Sequence, residues 1–320
     1  MPLAGRRRAA PRDQGHTTQA DPPSEMLGVP LVVARWAIRA TGAAATWAPR
    51  AGPPGSARAL RRSVCATRRS RRTPPAILAD VPGDVLLLSN SRPPGGREPF
   101  AHAREVLASH LGDRAVWFVP FALADHDHYV RRVSGALDAD VRPLHREPDP
   151  AATLAGAEAV FVGGGNTFRL LHEARRLGLL DALRGNPDCR YTGSSAGTNL
   201  ACPTIMTTND MPIVDPGGLD ALARVPFQVN PHYLDPDPAS THQGETREER
   251  ITEFHEVNEA PVVGLREGAW LHRSGDALAL GGNTARLFRR GQEPTELAAG
   301  TDLSWLLTLP RRSARPETSS

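Results

Sequence analysis

From about residue 78 the chain alternates short apolar runs with amphipathic stretches, and this rhythm sets the expected elements. Asp84-Val85-Leu86-Leu87-Leu88-Ser89 is an apolar run with a polar exit, the pattern of a strand buried on both faces. Residues 100–111 carry helical spacing, Ala115-Val116-Trp117-Phe118-Val119-Pro120 reads as a second strand, and a helix follows over about 126–137. A weaker strand spans 141–144. Ala157-Glu158-Ala159-Val160-Phe161-Val162 is a strong strand running into Gly163-Gly164-Gly165-Asn166, with helical spacing again over 168–180. Arg190-Tyr191-Thr192 then leads into Gly193-Ser194-Ser195-Ala196-Gly197. Strands and helices alternating over short connections predict a parallel sheet covered on both faces. In such sheets functional groups gather at the carboxyl ends of the strands, where both glycine-rich turns fall. Further strands near 227–229, 260–265 and 277–279 are expected to extend the same sheet within one catalytic domain, residues 78–309.

The first 77 residues have another texture. They are rich in Arg, Ala, Pro and Gly, with runs such as Arg6-Arg7-Arg8 and Arg68-Arg69-Ser70-Arg71-Arg72. Such a segment buries too little apolar surface to offset its ordering entropy, so disorder is expected for it and for residues 310–320. Its acid-poor character also fits a targeting segment or a start site placed too far upstream. The apolar run 26–33 is broken by Pro30 and ended by Arg35, so it forms neither a secretory core nor a membrane span. All 38 basic residues are arginine, and residues 1–75 hold a net charge of +11 against −8 for the rest. The basic balance therefore belongs to the leader, and the mildly acidic remainder does not suggest nucleic-acid binding. Three cysteines, Cys65, Cys189 and Cys202, lack metal-ligand spacing and point to a reducing, cytoplasmic setting without a disulfide framework.

The Gly-x-Ser-x-Gly segment carries the chemistry. A strand running through it into a helix would pin Ser195 on a sharp turn, as hydrolytic enzymes present a nucleophile, although Gly and Ser fill ordinary turns equally well. A serine nucleophile needs a base, a carboxylate to orient that base, and donors for the oxyanion. The turn at Gly163 and Gly164 offers one backbone N–H and Ala196 a second; the triple glycine lacks both the P-loop ending and the dinucleotide spacing. Asp125-His126-Asp127-His128 sits consecutively at a helix start and reads as a solvated cap, not a metal site. His102, His110, His145, His172, His255 and His272 have no chemical neighbour in the sequence. His232 emerges at a strand end after Asn230-Pro231 and is favoured as the base over His242, which lies in a polar loop. Asp210 lies between the elbow and His232, and serves equally as an orienting carboxylate or as a turn or cap residue.

Several longer segments share one resemblance. They are Phe161-Val162-Gly163-Gly164-Gly165-Asn166-Thr167-Phe168, the run from Gly193 to Ile205, Thr207-Thr208-Asn209-Asp210-Met211-Pro212-Ile213-Val214, Asn230-Pro231-His232-Tyr233, and Gly244-Glu245-Thr246-Arg247-Glu248-Glu249-Arg250-Ile251. In order and spacing they closely resemble the peptidase E, or α-aspartyl dipeptidase, family. The likeness runs over about 84–307 and leaves the leader unmatched. It implies an α/β, three-layer class I glutamine amidotransferase-like (flavodoxin-like) fold with a mostly parallel central sheet. It also implies serine-type hydrolysis of Asp-X dipeptides without metal or organic cofactor, in a monomer or homodimer with no nucleic-acid or membrane partner. Carried over residue by residue, the family nucleophile falls on Ser195, its histidine on His232 and its triad carboxylate on Asp210. The oxyanion amides fall on Gly163, Gly164 and Ala196, and substrate contacts on Arg247 and Asn166, with a further acid near the site at Glu267. One departure bears on pocket shape: the residue before the nucleophile is usually bulky and aromatic in this family, and here it is Ser194. Cyanophycinase-like β-aspartyl hydrolysis and a non-catalytic binding module are the alternative readings.

Overall fold

The structure is a computed structural model that describes residues 83–309 except 94, 97, 240 and 242. The leader, the last residues and His242 lie outside the described residues, and all those described fall within the unit Arg71–Ser320. The strands in chain order are β1 Val85–Leu88, β2 Val116–Val119, β3 Val141–Pro143, β4 Ala159–Val162, β5 Arg190–Ser194, β6 Gln228–Tyr233, β7 Val262–Arg266, β8 Trp270–Ser274, β9 Ala277–Gly281, β10 Ala285–Phe288 and β11 Thr295–Leu297. The α-helices are α1 Arg104–Leu111, α2 His126–Ser134, α3 Pro150–Ala155, α4 Thr167–Arg176, α5 Leu179–Gly185, α6 Ala196–Ala201 and α7 Arg247–Val257.

Short polar signals set the helix starts. Asp125 accepts the His128 N–H and caps α2, as expected of that run. Asn166 caps α4 through the Arg169 N–H, and Thr246 with Glu249 forms a reciprocal capping box on α7. The helical stretch expected over 168–180 is two helices, because Gly178 takes φ 68° and turns the chain between them.

The first sheet has the order β3-β2-β4-β5-β1-β8-β9, parallel through its first five strands and antiparallel at β8 and β9. The later strands do not all extend it, contrary to the sequence expectation. β6, β7, β10 and β11 form a separate four-stranded sheet of order β11-β10-β7-β6, in which β6 and β7 are parallel. Apolar runs buried on both faces do not record which neighbour they pair with, so the split has no signature in the pattern.

Helices cover both faces of the first sheet. Leu107 and Leu111 of α1 and Val133 of α2 pack with Leu86, Leu88, Phe118 and Phe161 on one side. On the other, Leu170 and Leu171 of α4, Leu183 of α5 and Leu200 of α6 pack with Val85, Leu87, Val160 and Val162. That second core continues into Val229 and Val263 of the smaller sheet, so α6 lies between the two sheets with all six residues buried. His110 and His272, isolated in the sequence, meet at 3.3 Å between Nδ1 and Nε2, and burial followed by His272 pushes His110 down to about 4.

The bond that crosses from α6 to the smaller sheet is the Asn199 side-chain N–H to Val229 O at 2.9 Å. Asn199 is 1 % exposed, and its removal takes one of two donors from Val229 O, which keeps the Thr207 hydroxyl at 2.9 Å. Asn199→Ala is expected to lower unfolding free energy by about 0.5–1.5 kcal/mol. Urea denaturation checks this.

Candidate active site

Ser195 sits between the end of β5 and α6 with φ 52° and ψ −107°, a conformation that side chains rarely adopt. Two glycines make the turn possible. A Cβ on Gly193 would lie 2.5 Å from Gly197 O, and one on Gly197 would lie 2.2 Å from Val162 O. The turn is pinned by the Ser195 N–H to Leu88 O at 3.0 Å and by the Tyr191 hydroxyl to Gly197 O at 2.6 Å.

His232 Nε2 lies 3.0 Å from Ser195 Oγ, so the structure brings these two residues within hydrogen-bonding distance. His232 also has an unusual backbone, φ 54°, at a register shift between β6 and β7. Ser89 holds that conformation. Its hydroxyl accepts the His232 N–H at 2.9 Å and donates to Leu265 O at 2.7 Å.

The carboxylate beside His232 is that of Glu267, and Asp210 lies elsewhere. Glu267 Oε1 lies 2.8 Å from His232 Nδ1, which makes Nδ1–H the donor and leaves Nε2 to accept the serine proton. Parallel pairing of β6 and β7 places their exits side by side, and His232 and Glu267 stand at those exits. The Glu267 turn is fixed by Asn283 Nδ2 to Glu267 O and by the Gly268 N–H to Asn90 Oδ1, both 2.9 Å. Asp210 instead folds back on the start of α4. Its Oδ2 accepts the Thr167 N–H at 2.8 Å and the Thr167 hydroxyl at 2.5 Å, in the position where a helix favours negative charge.

The amides of the glycine loop differ in their partners. The Gly163 N–H is committed to Val119 O at 3.1 Å. Gly164 packs close to Ser195, where an added Cβ would lie 3.1 Å from the serine Cβ and 3.7 Å from its Oγ. The Asn166 N–H goes to Ala122 O at 2.9 Å. Gly164, and Gly165 at φ 137°, are the members of the loop whose amides have no backbone acceptor among the described residues. Ala196, the first residue of α6, has an amide of the kind that finds no acceptor within a helix.

Asn166, read as a substrate contact, is committed to structure. Its Oδ1 caps α4 and its Nδ2 donates to Met211 O at 2.8 Å. Arg247 opens α7, half-buried, and makes no hydrogen bond or ion pair with any described residue. Burial and then Arg250 lower its pKa, while nearby Asp210 raises it. Ser194 is 1 % exposed and stands opposite Leu88 in register, so it faces the core between the sheet and α1–α2. The substrate side of the elbow is not shaped by that side chain. Cys202 and Cys189 are pushed by burial to about 12 and about 11, so neither supplies a thiolate nucleophile.

The sequence reading missed Ser89, Asn90 and Asn283. The first two are the polar exit of an apolar strand, and the third sits in a Gly281-Gly282-Asn283-Thr284 run that echoes Gly164-Gly165-Asn166-Thr167.

The model of peptidase family S51 matches residues 85–290. The chain belongs to that family. It is a serine peptidase, and its Ser195, His232 and Glu267 stand in one hydrogen-bonded line. Peptidase E of Streptomyces coelicolor is 58 % identical over 233 residues, covering 70 % of this chain and 95 % of the relative. A probable α-aspartyl dipeptidase of Drosophila melanogaster is 46 % identical over 237 residues, covering 70 % and 97 %. Peptidase E of Salmonella typhimurium is 47 % identical over 227 residues, covering 68 % and 98 %. Among solved structures, a peptidase from an acI-B1 actinobacterium superposes with TM-score 0.51 at 13 % identity, covering 69 % of this chain and 96 % of its own, which supports the fold. Among the described residues no helix is long and apolar enough to cross a membrane.

Glu267→Gln retains the shape of the site but favours the wrong imidazole tautomer, and is expected to lower kcat by about 10³-fold with the fold intact. Ser89→Ala leaves the His232 N–H unpaired and is expected to lower kcat by about 10-fold with little change in KM. Steady-state kinetics with circular dichroism checks both.

Proposed function

We propose that this peptidase hydrolyses dipeptides with an N-terminal L-aspartate, Asp-X, through an acyl-enzyme. The observation that carries the reading is the line Ser195 Oγ, His232, Glu267, at 3.0 and 2.8 Å. In this scheme His232 takes the Ser195 proton as Oγ attacks the peptide carbonyl, and Glu267 stabilises the imidazolium that forms. The amides of the Gly164–Gly165 turn and of Ala196 hold the oxyanion, His232 returns the proton to the leaving amine, and water resolves the ester.

Substrate choice rests on Arg247. A planar guanidinium without a protein partner suits a two-point grip on the substrate β-carboxylate. Substrates with an uncharged first residue would leave that half-buried charge unpaired, which is a strong basis for rejection. The relatives named as peptidase E and as α-aspartyl dipeptidase support this choice over β-aspartyl substrates.

A panel of Asp-X, Ala-X and β-aspartyl-arginine dipeptides tests the proposal. Wild type is expected to cleave Asp-X selectively and Ser195→Ala to cleave nothing while remaining folded. Cleavage of β-aspartyl-arginine in preference to Asp-X would transfer the enzyme to the other substrate class. Arg247→Ala is expected to raise KM for Asp-X by roughly 10-fold or more with a smaller effect on kcat; unchanged kinetics would remove its assigned role.

A further inference from the structure

The residue that bears the imidazole is an insertion in its ladder. Pro231 stands opposite Leu265 and Tyr233 opposite Arg266, so β6 takes two steps where β7 takes one, and His232 is the extra residue. A bulge of this kind re-aims the side chain it carries. Moving it by one residue along β6 would send the imidazole to the other face, because neighbouring strand positions point opposite ways. The bulge therefore has to be fixed on both sides. Before it, the Asn209 side-chain N–H reaches Pro231 O and that of Asn230 reaches Thr207 O, each at 2.8 Å. At the bulge, Ser89 takes the His232 N–H. Beyond it, the strand ends at Tyr233.

Arg266 closes that open side. Its Nε and Nη2 donate to the two carboxylate oxygens of Asp235 at 2.8 and 2.6 Å, the planar two-point pairing for which a guanidinium is shaped. The rest of the fork is held by the smaller sheet. Nη1 donates to Glu296 at 2.9 Å and to the Thr284 hydroxyl at 3.0 Å, and Nη2 donates to Glu296 at 3.1 Å. The buried Tyr233 ring lies beside the same group, its centre 5.6 Å from Cζ. Arg286 adds a longer contact to Asp235 at 3.8 Å. The Arg266 side chain is 17 % exposed but that of Asp235 is 49 % exposed, and ion pairs so open to water contribute little to stability. The value of this one is positional. Asp235 lies three residues past His232, and Arg266 immediately precedes Glu267. One clamp thus joins the backbone that carries His232 to the backbone that carries its carboxylate partner.

We propose that Arg266 is a positioning residue: its two-point grip on Asp235 fixes the far side of the His232 bulge and so keeps the imidazole in line between Ser195 Oγ and Glu267. The inference rests on the serine-hydrolase reading above. It adds that an ion pair outside the catalytic line controls the rate of the chemical step.

Arg266→Met and Asp235→Asn break the grip from either end, and the double variant completes a cycle. Each single change is expected to lower kcat for an Asp-X dipeptide by about 10-fold with KM within about 2-fold, since an ångström of misplacement at a reacting group costs as much as about 10²-fold. The rate at which a fluorophosphonate labels Ser195 is expected to fall by a similar factor, a readout that needs no dipeptide. Both changes act through one contact, so the double variant is expected to match the slower single variant and not the product of the two effects. The urea midpoint of Asp235→Asn is expected to move little. An unaltered kcat, a change carried by KM, or effects that multiply in the double variant overturns the proposal. Should Arg266→Met fail to fold, Asp235→Asn decides alone, and an unaltered labelling rate there overturns the role. Failure of the underlying reading shows separately, as labelling or Asp-X cleavage that survives Ser195→Ala. If wild type is labelled at Ser195 but leaves Asp-X uncut, the substrate proposal fails and the labelling rates still decide this one.

Discussion

One hydroxyl joins the two halves of this enzyme. Ser89 leaves β1 of the larger sheet and places its oxygen between the His232 N–H and Leu265 O of the smaller one. Ser195 follows a strand of the first sheet, whereas His232 and Glu267 stand at strand ends of the second. Without a fixed relation between the sheets the 3.0 Å contact from Ser195 to His232 would have no structural basis. Asn90, the next residue, extends the same link to the Glu267 turn through Gly268. Asn199 adds a third tie from α6 to β6. The catalytic line is therefore held chiefly by neutral polar side chains at strand and helix ends, with few charges drawn into the task.

Local patterns reported local facts well. Gly193 and Gly197 bracket Ser195 at a spacing that only a tight turn explains, and the structure shows backbone occupying the space where their Cβ atoms would stand. His232 was readable because it leaves an apolar run through Asn230-Pro231, as a strand-end residue should. The central parallel strands were equally plain, each a short apolar run with a helical stretch behind it.

Assignments that depend on strand partners were not readable in this way. Asp210 and Glu267 both lie in polar turns, and only the parallel pairing of β6 with β7 puts the second of them beside His232. The same limit applied to the number of sheets. For the glycine loop, three consecutive amides look alike in sequence. Their surroundings tell them apart: Val119 O takes the Gly163 N–H, and Ala122 O takes the N–H of Asn166 just beyond the glycines.

Two of the three residues in the catalytic line, Ser195 and His232, sit at positive φ without being glycine. Each such conformation costs of order 1–3 kcal/mol that the surrounding fold must offset. Glycine at either position would relieve the strain and abolish the chemistry, so the most relaxed versions of this backbone are inactive ones. Selection for stability and selection for activity thus pull in opposite directions at the same two residues. The dense bonding around them, from Leu88 and Tyr191 at the serine to Ser89 at the histidine, is what lets the active form persist.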